Sequence, residues 1–551
     1  MTFLPMLMLL VPLVSALVIS FRPSEQSLGL AKLSSLIGLA LAGLMLARFD
    51  FGASDQFQFA GSIALIPELG VTISYGADSV AMWLIVLTAF LQPLCVWGSV
   101  TAIDSRKRTY YAWLTALQAA MTGVFLARDL IFFYTCFEFT LVPMYVLISL
   151  YGSTNRKKAA TKFFLFTFTG SIIALAGLVY VARSAAALTG EWTFDLATLE
   201  AAARAMTPSE QGWVLLAMLC GFAVKVPIFP LHTWLPLAHT EAPTAGSVVL
   251  AGVLLKLGTY AILRFVVPFV PDAVAAHADL LATLAVIGVL YGGLICWVQR
   301  DVKKLVAYSS VAHLGFCMLG MFALNPVGAA GSIMYMINHG LSTGALFFCI
   351  GFMYERYHTR SLDEVGGLAT RMPCWSFFMI FFTMASVGLP GLNGFISEFM
   401  CLMGAFQSGA VEIGAGGTAG PLGPWYAAIA GTGMIVAAMY LLIMLGKIVW
   451  GPLREPSGHE HHDHGKLPAD LSALEIGVLT PLAVACLVLG VLPSPMLKTL
   501  EKPIERTLAM VGAGPGAGLA AQETGGRRVP RFEAEPELWD AAPIEPLEVA
   551  E

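Results

Sequence analysis

Residues 222–265 read FAVKVPIFPLHTWLPLAHTEAPTAGSVVLAGVLLKLGTYAILRF, and this stretch decides the fold. Apolar residues dominate it, yet Lys225 and Lys256 lie deep within its apolar runs. Three prolines interrupt the first run, and they are Pro227, Pro230 and Pro236. Each proline removes a backbone donor and clashes with the preceding turn of a helix. We therefore expect a membrane helix that is broken beside Lys225.

The composition of the whole chain indicates the same class of protein. Of the 551 residues, 57% are hydrophobic and 12% are charged, which is typical of a polytopic membrane protein and not of a soluble domain. Runs of about 20 apolar residues, enough to cross about 30 Å of hydrocarbon as helix, predict an all-α fold with about 14 transmembrane helices. Their approximate starts are Thr2, Leu28, Ser79, Tyr110, Leu130, Thr161, Trp213, Thr244, Ala278, Val302, Val327, Pro373, Leu422 and Leu471.

The positions of lysine and arginine predict how these helices, numbered 1 to 14, cross the membrane. Most of these basic residues lie in loops that follow odd-numbered helices, including the clusters Arg106–Arg108 and Arg156–Lys158, which also suit lipid headgroups. We therefore expect the odd loops in the cytoplasm and both termini on the periplasmic side. The first run, Thr2–Phe21, has no basic segment before it and no cleavage site after it, so we interpret it as helix 1.

A second broken helix is predicted at residues 386–399, SVGLPGLNGFISEF, where three glycines and a proline interrupt an apolar run just before Glu398. Broken helices in two halves of a membrane protein indicate an inverted repeat with ion sites at the breaks. We expect helices 4–8 and helices 9–13 to form two inverted five-helix repeats, in which helices 7 and 12 are discontinuous.

These features predict the boundaries of several regions. They are residues 1–109 with helices 1–3, residues 110–266 with the first repeat, residues 278–450 with the second repeat, residues 471–493 with helix 14, and an acidic, Gly/Pro-rich tail at 504–551. The tail has few apolar residues to bury, so we expect it to be extended or disordered. The short amphipathic segment Glu191–Ala205 is expected on the outer surface.

Ionisable side chains near the middle of the predicted helices are the strongest functional signal. They are Glu138, Lys225, Lys256, His313, His339 and Glu398. A charge at that depth costs at least ~2.5–3.5 kcal/mol, so such residues normally face an internal hydrated path and carry ions or protons. We therefore predict a proton-conducting protein in which these side chains transfer the protons.

The roles of the six residues follow from their chemistry. If Glu138 and Lys225 pair, both stay charged, and separating them lets the buried lysine release its proton; the alternative is a static ion pair between two helices. Lys256 has no acidic residue in the adjacent turns, which favours a proton relay over a structural role. His313 and His339 exchange protons near neutral pH, although a neutral histidine bonded to Ser or Thr of another helix is the alternative.

Other candidate sites are weaker. His232 and His239 on the broken helix are predicted to line a proton inlet, and the polar loop His459–His464 is interpreted as a solvated cluster rather than a metal site. The cysteines show no CxxC pair or metal-ligand spacing, and no Gly-rich nucleotide motif is present in the sequence. We therefore predict no metal and no cofactor in this chain, and no nucleic-acid partner.

Five sequence blocks resemble the M-subunit family of the proton-pumping NADH-quinone oxidoreductase, respiratory complex I, whose mitochondrial counterpart is chain 4. The blocks are FEFTLVPMY, KVPIFPLHTWLPLAHTEAPTAGSVVLAGVLLKLGTY, RDVKKLVAYSSVAHLGF, NHGLSTGALFF and LPGLNGFISEF, and the resemblance extends over about helices 3–14. By position in these motifs, Glu138, Lys225, Lys256 and Glu398 match the family's charged residues of helices 5, 7, 8 and 12. Related antiporter-like subunits generally carry lysine in place of Glu398, which favours the M branch.

The resemblance implies an antiporter-like fold and a place between L-type and N-type subunits in the membrane arm, in the bacterial cytoplasmic membrane. Flavin, iron–sulfur clusters and quinone are then expected in partner subunits, and this chain would belong to an NADH:quinone oxidoreductase without a redox site of its own. The long acidic tail departs from the family's usual short end, so the contact it makes is not implied.

Together, the residues and the resemblance predict outward proton translocation that is driven by redox chemistry in partner subunits. Glu138 separates from Lys225, whose proton then moves toward Lys256 and Glu398. Two alternatives remain open. One is the D-type subunit of a multisubunit sodium/proton antiporter, which shares the fold and most of the charges; the other is a membrane scaffold whose buried charges are only ion pairs.

Overall fold

The computed structural model describes residues 3–409, 421–456 and 469–511. Helices up to the first break are α1 (Phe3–Phe21), α2 (Ser24–Arg48), α3 (Ser79–Trp97), α4 (Lys107–Leu126), α5 (Leu130–Phe139), α6 (Leu141–Tyr151), α7 (Arg156–Thr189), α8 (Leu196–Arg204) and α9 (Pro208–Lys225). The later helices are α10 (Leu235–Glu241), α11 (Thr244–Val249), α12 (Leu255–Ala261), α13 (Val267–Phe269), α14 (Pro271–Trp297), α15 (Val302–Phe322), α16 (Pro326–Tyr357), α17 (Pro373–Val387), α18 (Asn393–Gln407), α19 (Pro424–Ile448), α20 (Ala473–Val491) and α21 (Ser494–Val511).

Within the described residues, 11 helical spans are long and apolar enough to cross a membrane, which confirms a multi-pass helical membrane protein. Predicted helix 5 consists of α5 and α6, which adjoin at Thr140, and predicted helix 8 consists of α11–α13, joined by π-helical turns at 250–254 and 262–266. Predicted helix 4 corresponds to α4, which is less apolar than the 11 spans. Predicted helix 7 is interrupted and corresponds to α9 with α10, and predicted helix 12 is interrupted and corresponds to α17 with α18. The count of fourteen crossings stays a prediction.

The first break lies between α9 and α10, where the prolines predict it. The amide of Ile228 bonds to Ala223, so the carbonyl oxygen of Val224 loses its helical partner. The indole Nε1 of Trp234 donates to that carbonyl instead, at 2.9 Å. An unsatisfied backbone group costs several kcal/mol inside a membrane, so Trp234 stabilises the break. The second break separates α17 from α18 at residues 388–392.

An antiparallel β-hairpin accompanies the helical membrane part, and the sequence analysis did not predict it. Its strands are β1 (Gln58–Ile66) and β2 (Val71–Ala77), and the turn between them contains Gly70 at φ 64°. Thr72 Oγ1 of β2 donates to Asp129 Oδ2 at 3.1 Å, which attaches the hairpin to the start of α5. A search for apolar runs of membrane length does not detect strands this short.

Contacts between loops group them into two sets. The hairpin forms a β-bridge between Tyr75 and Ala127, and Asp129 forms one with Asp195, so the loops after predicted helices 2, 4 and 6 meet on one side. The loops after predicted helices 5, 7, 9, 11 and 13 are likewise joined to one another by hydrogen bonds and bridges. This grouping fits the predicted alternation, in which the hairpin side is periplasmic; the compartment that each side faces stays a prediction.

The last described helix, α21, corrects the predicted start of the tail at residue 504. Leu500 and Ile504 are buried one turn apart, so this segment is an amphipathic helix rather than tail. Pro503 has no backbone N–H, so it cannot bond to the carbonyl oxygen of Thr499 four residues earlier. Ser79 Oγ donates to that carbonyl instead, at 2.7 Å, which allows the proline within the helix. The remainder of the predicted tail lies outside the described residues.

Candidate functional site

Lys225 is the last residue of α9 and is buried beside the first break. Its Nζ donates to Thr140 Oγ1 at 3.0 Å and to the carbonyl oxygen of Phe137 at 3.4 Å, and it lies 4.0 Å from the centre of the Phe137 ring. Gly258 permits this placement, since a Cβ there would lie 3.0 Å from Lys225 Cβ and 2.9 Å from the amide nitrogen of Val226. Helix α12 therefore packs directly against the broken end of α9.

Glu138 lies on α5 between the two residues that bind the lysine. The ion pair that the sequence analysis hypothesised is not formed, because Lys225 bonds to Phe137 and Thr140 instead. The Oε1 atom of Glu138 is buried and has no hydrogen-bond partner among the described residues. Leaving such an oxygen unpaired costs about 1–3 kcal/mol or more. In this structure, the acid and the base of the first predicted repeat interact electrostatically but form no direct ion pair.

Lys256 is fully buried on α12, between the two π-helical turns. Its Nζ donates to the carbonyl oxygen of Ala251 in the first of these turns and lies 2.7 Å from Nδ1 of His339 on α16. Single π-turns within α-helices occur frequently at functional sites. The lysine has no acidic residue in its own sequence neighbourhood, and its titratable partner lies in the second predicted repeat.

A series of polar groups leads from this lysine to Glu398. The ring centres of His339 and His313 are 5.8 Å apart. Nδ1 of His313 lies 2.7 Å from Tyr335 Oη, which donates to Glu398 Oε1 at 2.7 Å. The same His313 nitrogen lies 3.4 Å from Glu398 Oε1. The series, which we call the relay, joins α12, α16, α15 and α18.

The hydrogen bonds of the relay assign a direction to its protons. When Lys256 is charged it only donates, and Nδ1 of His339 is then assigned as the acceptor, with the ring proton on Nε2. Tyr335 gives its single proton to Glu398, so His313 donates from Nδ1 and its Nε2 is left as an acceptor. Both Nε2 atoms are buried without a partner among the described residues. The two rings therefore offer one unused donor and one unused acceptor, which proton transfer between them requires.

Glu398 is positioned by the second break. Gly388 ends α17 with φ 82°, a conformation that favours glycine, and a Cβ at this position would lie 2.5 Å from Glu398 Oε2. Asn338 on α16 donates from Nδ2 to the carbonyl oxygen of Asn393 at 2.7 Å, and Asn393 returns a 3.2 Å bond to the carbonyl of Asn338. The start of α18 is therefore fixed to α16, and the carboxylate lies directly beside the break.

Sequence analysis missed two members of the site. Thr140 binds Lys225, and Tyr335 joins His313 to Glu398. Burying a neutral hydroxyl costs much less free energy than burying a charge, so threonine and tyrosine are ordinary residues in an apolar run and give no signal. Tyr335 had a usable signal, because it precedes His339 by four residues and residues at that spacing share a helix face.

The remaining predicted residues lie outside the relay. His239 stacks on Phe347 with ring centres 4.7 Å apart, and neither of its nitrogens has a partner among the described residues. His232 packs between Phe229 and Tyr291. Neither contact tests the predicted inlet. The loop His459–His464 falls outside the described residues, and in the part of the chain that the structure covers no group of three or more His, Cys, Asp or Glu could hold a metal ion.

Comparison with known proteins identifies the family. The model of the family described as NADH:quinone oxidoreductase/Mrp antiporter, TM, matches residues 127–419, which contain all six predicted site residues. The NADH-quinone oxidoreductase subunit M of Rhodobacter capsulatus is 38% identical over 466 residues, which cover 84% of this chain and 86% of that protein. The chain belongs to the subunit M family. This confirms the resemblance stated from the sequence blocks.

Solved structures agree with this family assignment. Over 92% of this chain and all of the matched chain, the structure superposes on a chain of respiratory complex I from Thermus thermophilus with bound NADH, with a TM-score of 0.80 and 29% identity. A chain of the Mrp complex from Dietzia sp. matches with a TM-score of 0.77 at 22% identity, over 93% of this chain and 99% of that one. The second likeness shows the antiporter-like fold alone.

Proposed function

We propose that this chain is a proton-translocating membrane-arm subunit of NADH-quinone oxidoreductase in the bacterial cytoplasmic membrane. Its family membership supports the assignment, and the observation that carries it is the relay from Lys256 through His339, His313 and Tyr335 to Glu398. Such a series of buried donors and acceptors has no evident use in a scaffold, because each unpaired buried polar atom is destabilising. It is the arrangement that proton transfer through a membrane requires.

In this mechanism, Glu138 and Lys225 form the input switch. When the two side chains pair directly, Glu138 stabilises the charged lysine fully. In this structure no direct pair forms, and the hydrogen bonds of Lys225 go to neutral groups of Thr140 and Phe137. The separated lysine then gives up its proton toward Lys256, and protonation from the cytoplasm restores it. Moving one proton against 100 mV takes about 2.3 kcal/mol, which must come from partner subunits.

The partners of this chain are other subunits of the same complex, and we propose L-type and N-type antiporter-like subunits as its direct neighbours. Flavin, iron–sulfur clusters and quinone belong to partner subunits in this proposal, so the chain takes part in an NADH:quinone oxidoreductase reaction without a redox site of its own. Membrane lipids contact the large apolar side chains that remain exposed on α1, α2 and α7.

Co-purification tests the assignment. The full-length chain is captured by an affinity tag from gently solubilised membranes, and NADH oxidation coupled to quinone reduction is expected to accompany it. Sodium/proton exchange without any NADH oxidation would instead support assignment of the chain to the antiporter branch.

A variant separates the relay from a scaffold. In assembled complexes reconstituted in vesicles, Lys256→Ala is expected to keep NADH oxidation and to lower the number of protons pumped per NADH. An unchanged ratio in a correctly assembled complex would show that the buried charges are only structural.

A further inference from the structure

The partners of the Lys225 amine all belong to one turn at the junction of α5 and α6. Nζ donates to Thr140 Oγ1 at 3.0 Å and to the carbonyl oxygen of Phe137 at 3.4 Å. It also lies 4.0 Å from the centre of the Phe137 ring, a position that suits a cation. A charged ammonium has three donors and no acceptor. These partners, which we call the neutral site, therefore suit a protonated lysine although none of them is charged.

The hydroxyl of Thr140 is oriented to accept a hydrogen bond from this amine. Thr140 is fully buried, and its Oγ1 donates to the carbonyl oxygen of Phe137 at 2.7 Å. A hydroxyl has a single donor and two acceptor lone pairs. Because the donor is used by Phe137, the oxygen can only accept from Lys225. The helix itself thus sets the direction of the hydroxyl that binds the lysine.

Glu138 lies on a different side of the same turn. Successive residues of an α-helix are about 100° apart around its axis. Phe137 and Thr140 share a side, whereas Glu138 lies about 100° from Phe137 in the other direction, where Ser171 of α7 is beside its carboxylate. The charges of Glu138 and Lys225 still interact. The lysine therefore has two competing partners around one turn, and Phe137 lies between them.

This turn has fewer and longer hydrogen bonds than a regular helix. Thr140 lies between the end of α5 at Phe139 and the start of α6 at Leu141. Pro143 has no N–H to donate to the carbonyl oxygen of Phe139 four residues earlier. The amide nitrogen of Met144 is 3.4 Å from the carbonyl oxygen of Thr140, longer than the usual 2.9–3.0 Å. The turn that carries both partners is thus able to shift relative to the amine.

We propose that Thr140 is a positioning residue of the input switch, because its hydroxyl competes with Glu138 for the amine of Lys225 and holds the amine in the neutral site. This proposal rests on the proposed function, to which it adds the second of the two positions of the lysine. The amine keeps its proton while it moves, and the Phe137 ring stabilises the charge between the two positions. The proton is released from the neutral site, where no carboxylate bonds to the amine.

A threonine-to-valine change tests this role in the assembled complex. Thr140→Val keeps the shape of the side chain and removes the hydroxyl. Losing one hydrogen bond to a charged group shifts the equilibrium roughly 10- to 150-fold toward Glu138. A cryo-electron microscopy structure of the variant complex is expected to show Nζ of Lys225 within hydrogen-bond distance of the Glu138 carboxylate. The rate of proton pumping in vesicles is expected to fall, by up to the same factor.

Two further variants separate the hydroxyl from packing. Thr140→Ser loses the methyl group but keeps the hydroxyl, so it is expected to keep the amine in the neutral site and to pump like the unmodified complex. Thr88→Val removes a buried hydroxyl that donates to Leu84 of its own helix, and it is the matched control. A threonine that only filled space would give the opposite order, with serine more harmful than valine.

The outcomes distinguish the two proposals. If the amine stays at Phe137 in Thr140→Val, or if Thr140→Ser pumps as slowly as Thr140→Val, the hydroxyl does not compete with Glu138; the positioning role is then overturned and the proposed function stands. If Lys225→Ala pumps normally in a correctly assembled complex, the proposed function fails and the positioning role fails with it.

Discussion

Nζ of Lys256 lies 2.7 Å from Nδ1 of His339, although the two residues belong to different predicted repeats. Each repeat therefore contributes one titratable group to a contact at their boundary. Protonation of the histidine at this nitrogen competes with the charge on the lysine, because two positive groups at that distance repel each other strongly in a medium of low dielectric constant. The two predicted repeats are thus coupled electrostatically at this contact.

Replacing His339 with Gln should slow proton transfer between the repeats. Glutamine keeps a hydrogen-bond acceptor for Lys256 but cannot pass a proton onward. Removing a positioned proton-transfer group typically slows the proton step about 10²- to 10⁴-fold, so we expect a slowing in that range. Protons pumped per NADH in reconstituted vesicles measure the effect. His277→Gln is the control, because His277 only bonds to Ala273 of its own helix; an equal loss in both variants would contradict the relay.

Tyr335→Phe should have a smaller effect. The phenylalanine removes the hydroxyl between His313 and Glu398, but these two groups remain 3.4 Å apart and can bond directly. A net loss of about 1 kcal/mol predicts roughly fivefold slower transfer. The pumping rate at saturating NADH is the measurement. Tyr110→Phe provides the comparison, since Tyr110 is buried and its hydroxyl bonds to Ser99, outside the relay. If Tyr335→Phe and Tyr110→Phe behave alike, the hydroxyl of Tyr335 has no part in transfer.

Gly388→Ala should displace the carboxylate of Glu398. A left-handed conformation costs a non-glycine residue roughly 1–2 kcal/mol, and the added methyl group would meet Oε2 at 2.5 Å. Gly391→Ala bears a similar backbone cost at φ 92° but meets nothing within 4 Å. Both variants should therefore lose similar stability, measured by thermal unfolding of the purified complex, while only Gly388→Ala loses proton pumping. Equal pumping in the two would show that the position of Glu398 tolerates this shift.

Arg356→Ala should destabilise the chain. Arg356 on α16 binds the carboxylate of Glu475 on α20 through two 2.8 Å hydrogen bonds, and both side chains are at most 6% exposed. Removing one partner of a buried ion pair typically costs about 3–5 kcal/mol. A lower midpoint of thermal unfolding in detergent is expected. Arg300→Ala, which removes an exposed pair with Asp363, should leave that midpoint unchanged, and a comparable drop there would contradict the distinction.

The features that the sequence predicts well are those whose residues have a large effect on the free energy of the folded chain in the membrane. Apolar runs of membrane length predicted the helical spans, and prolines predicted the break beside Lys225. A charge in an apolar run is energetically costly, so the sequence pattern alone singles out Lys256 and Glu398 as candidates. Neutral hydroxyls such as Thr140 and Tyr335 carry no such signature.

Other features depend on tertiary structure that no local pattern encodes. The hairpin strands are shorter than the apolar runs that were sought, and the extension of α21 past Pro503 requires Ser79, which is more than 400 residues away in the sequence. Lys225 bonds to Thr140 and Phe137 rather than to Glu138, and the residue types alone do not determine which of these partners the lysine takes. The π-helical turns around Lys256 likewise follow from packing.

The indole of Trp234 completes the hydrogen bonding of the broken turn beside Lys225. If the helix rewound, the amide of Ile228 would return to the carbonyl of Val224 and displace the indole, so the hydrogen bond of Trp234 favours the broken form. In the proposed mechanism, energy from partner subunits is then expected to act on the side chains of Glu138 and Lys225, while the backbone of α9 and α10 stays in place.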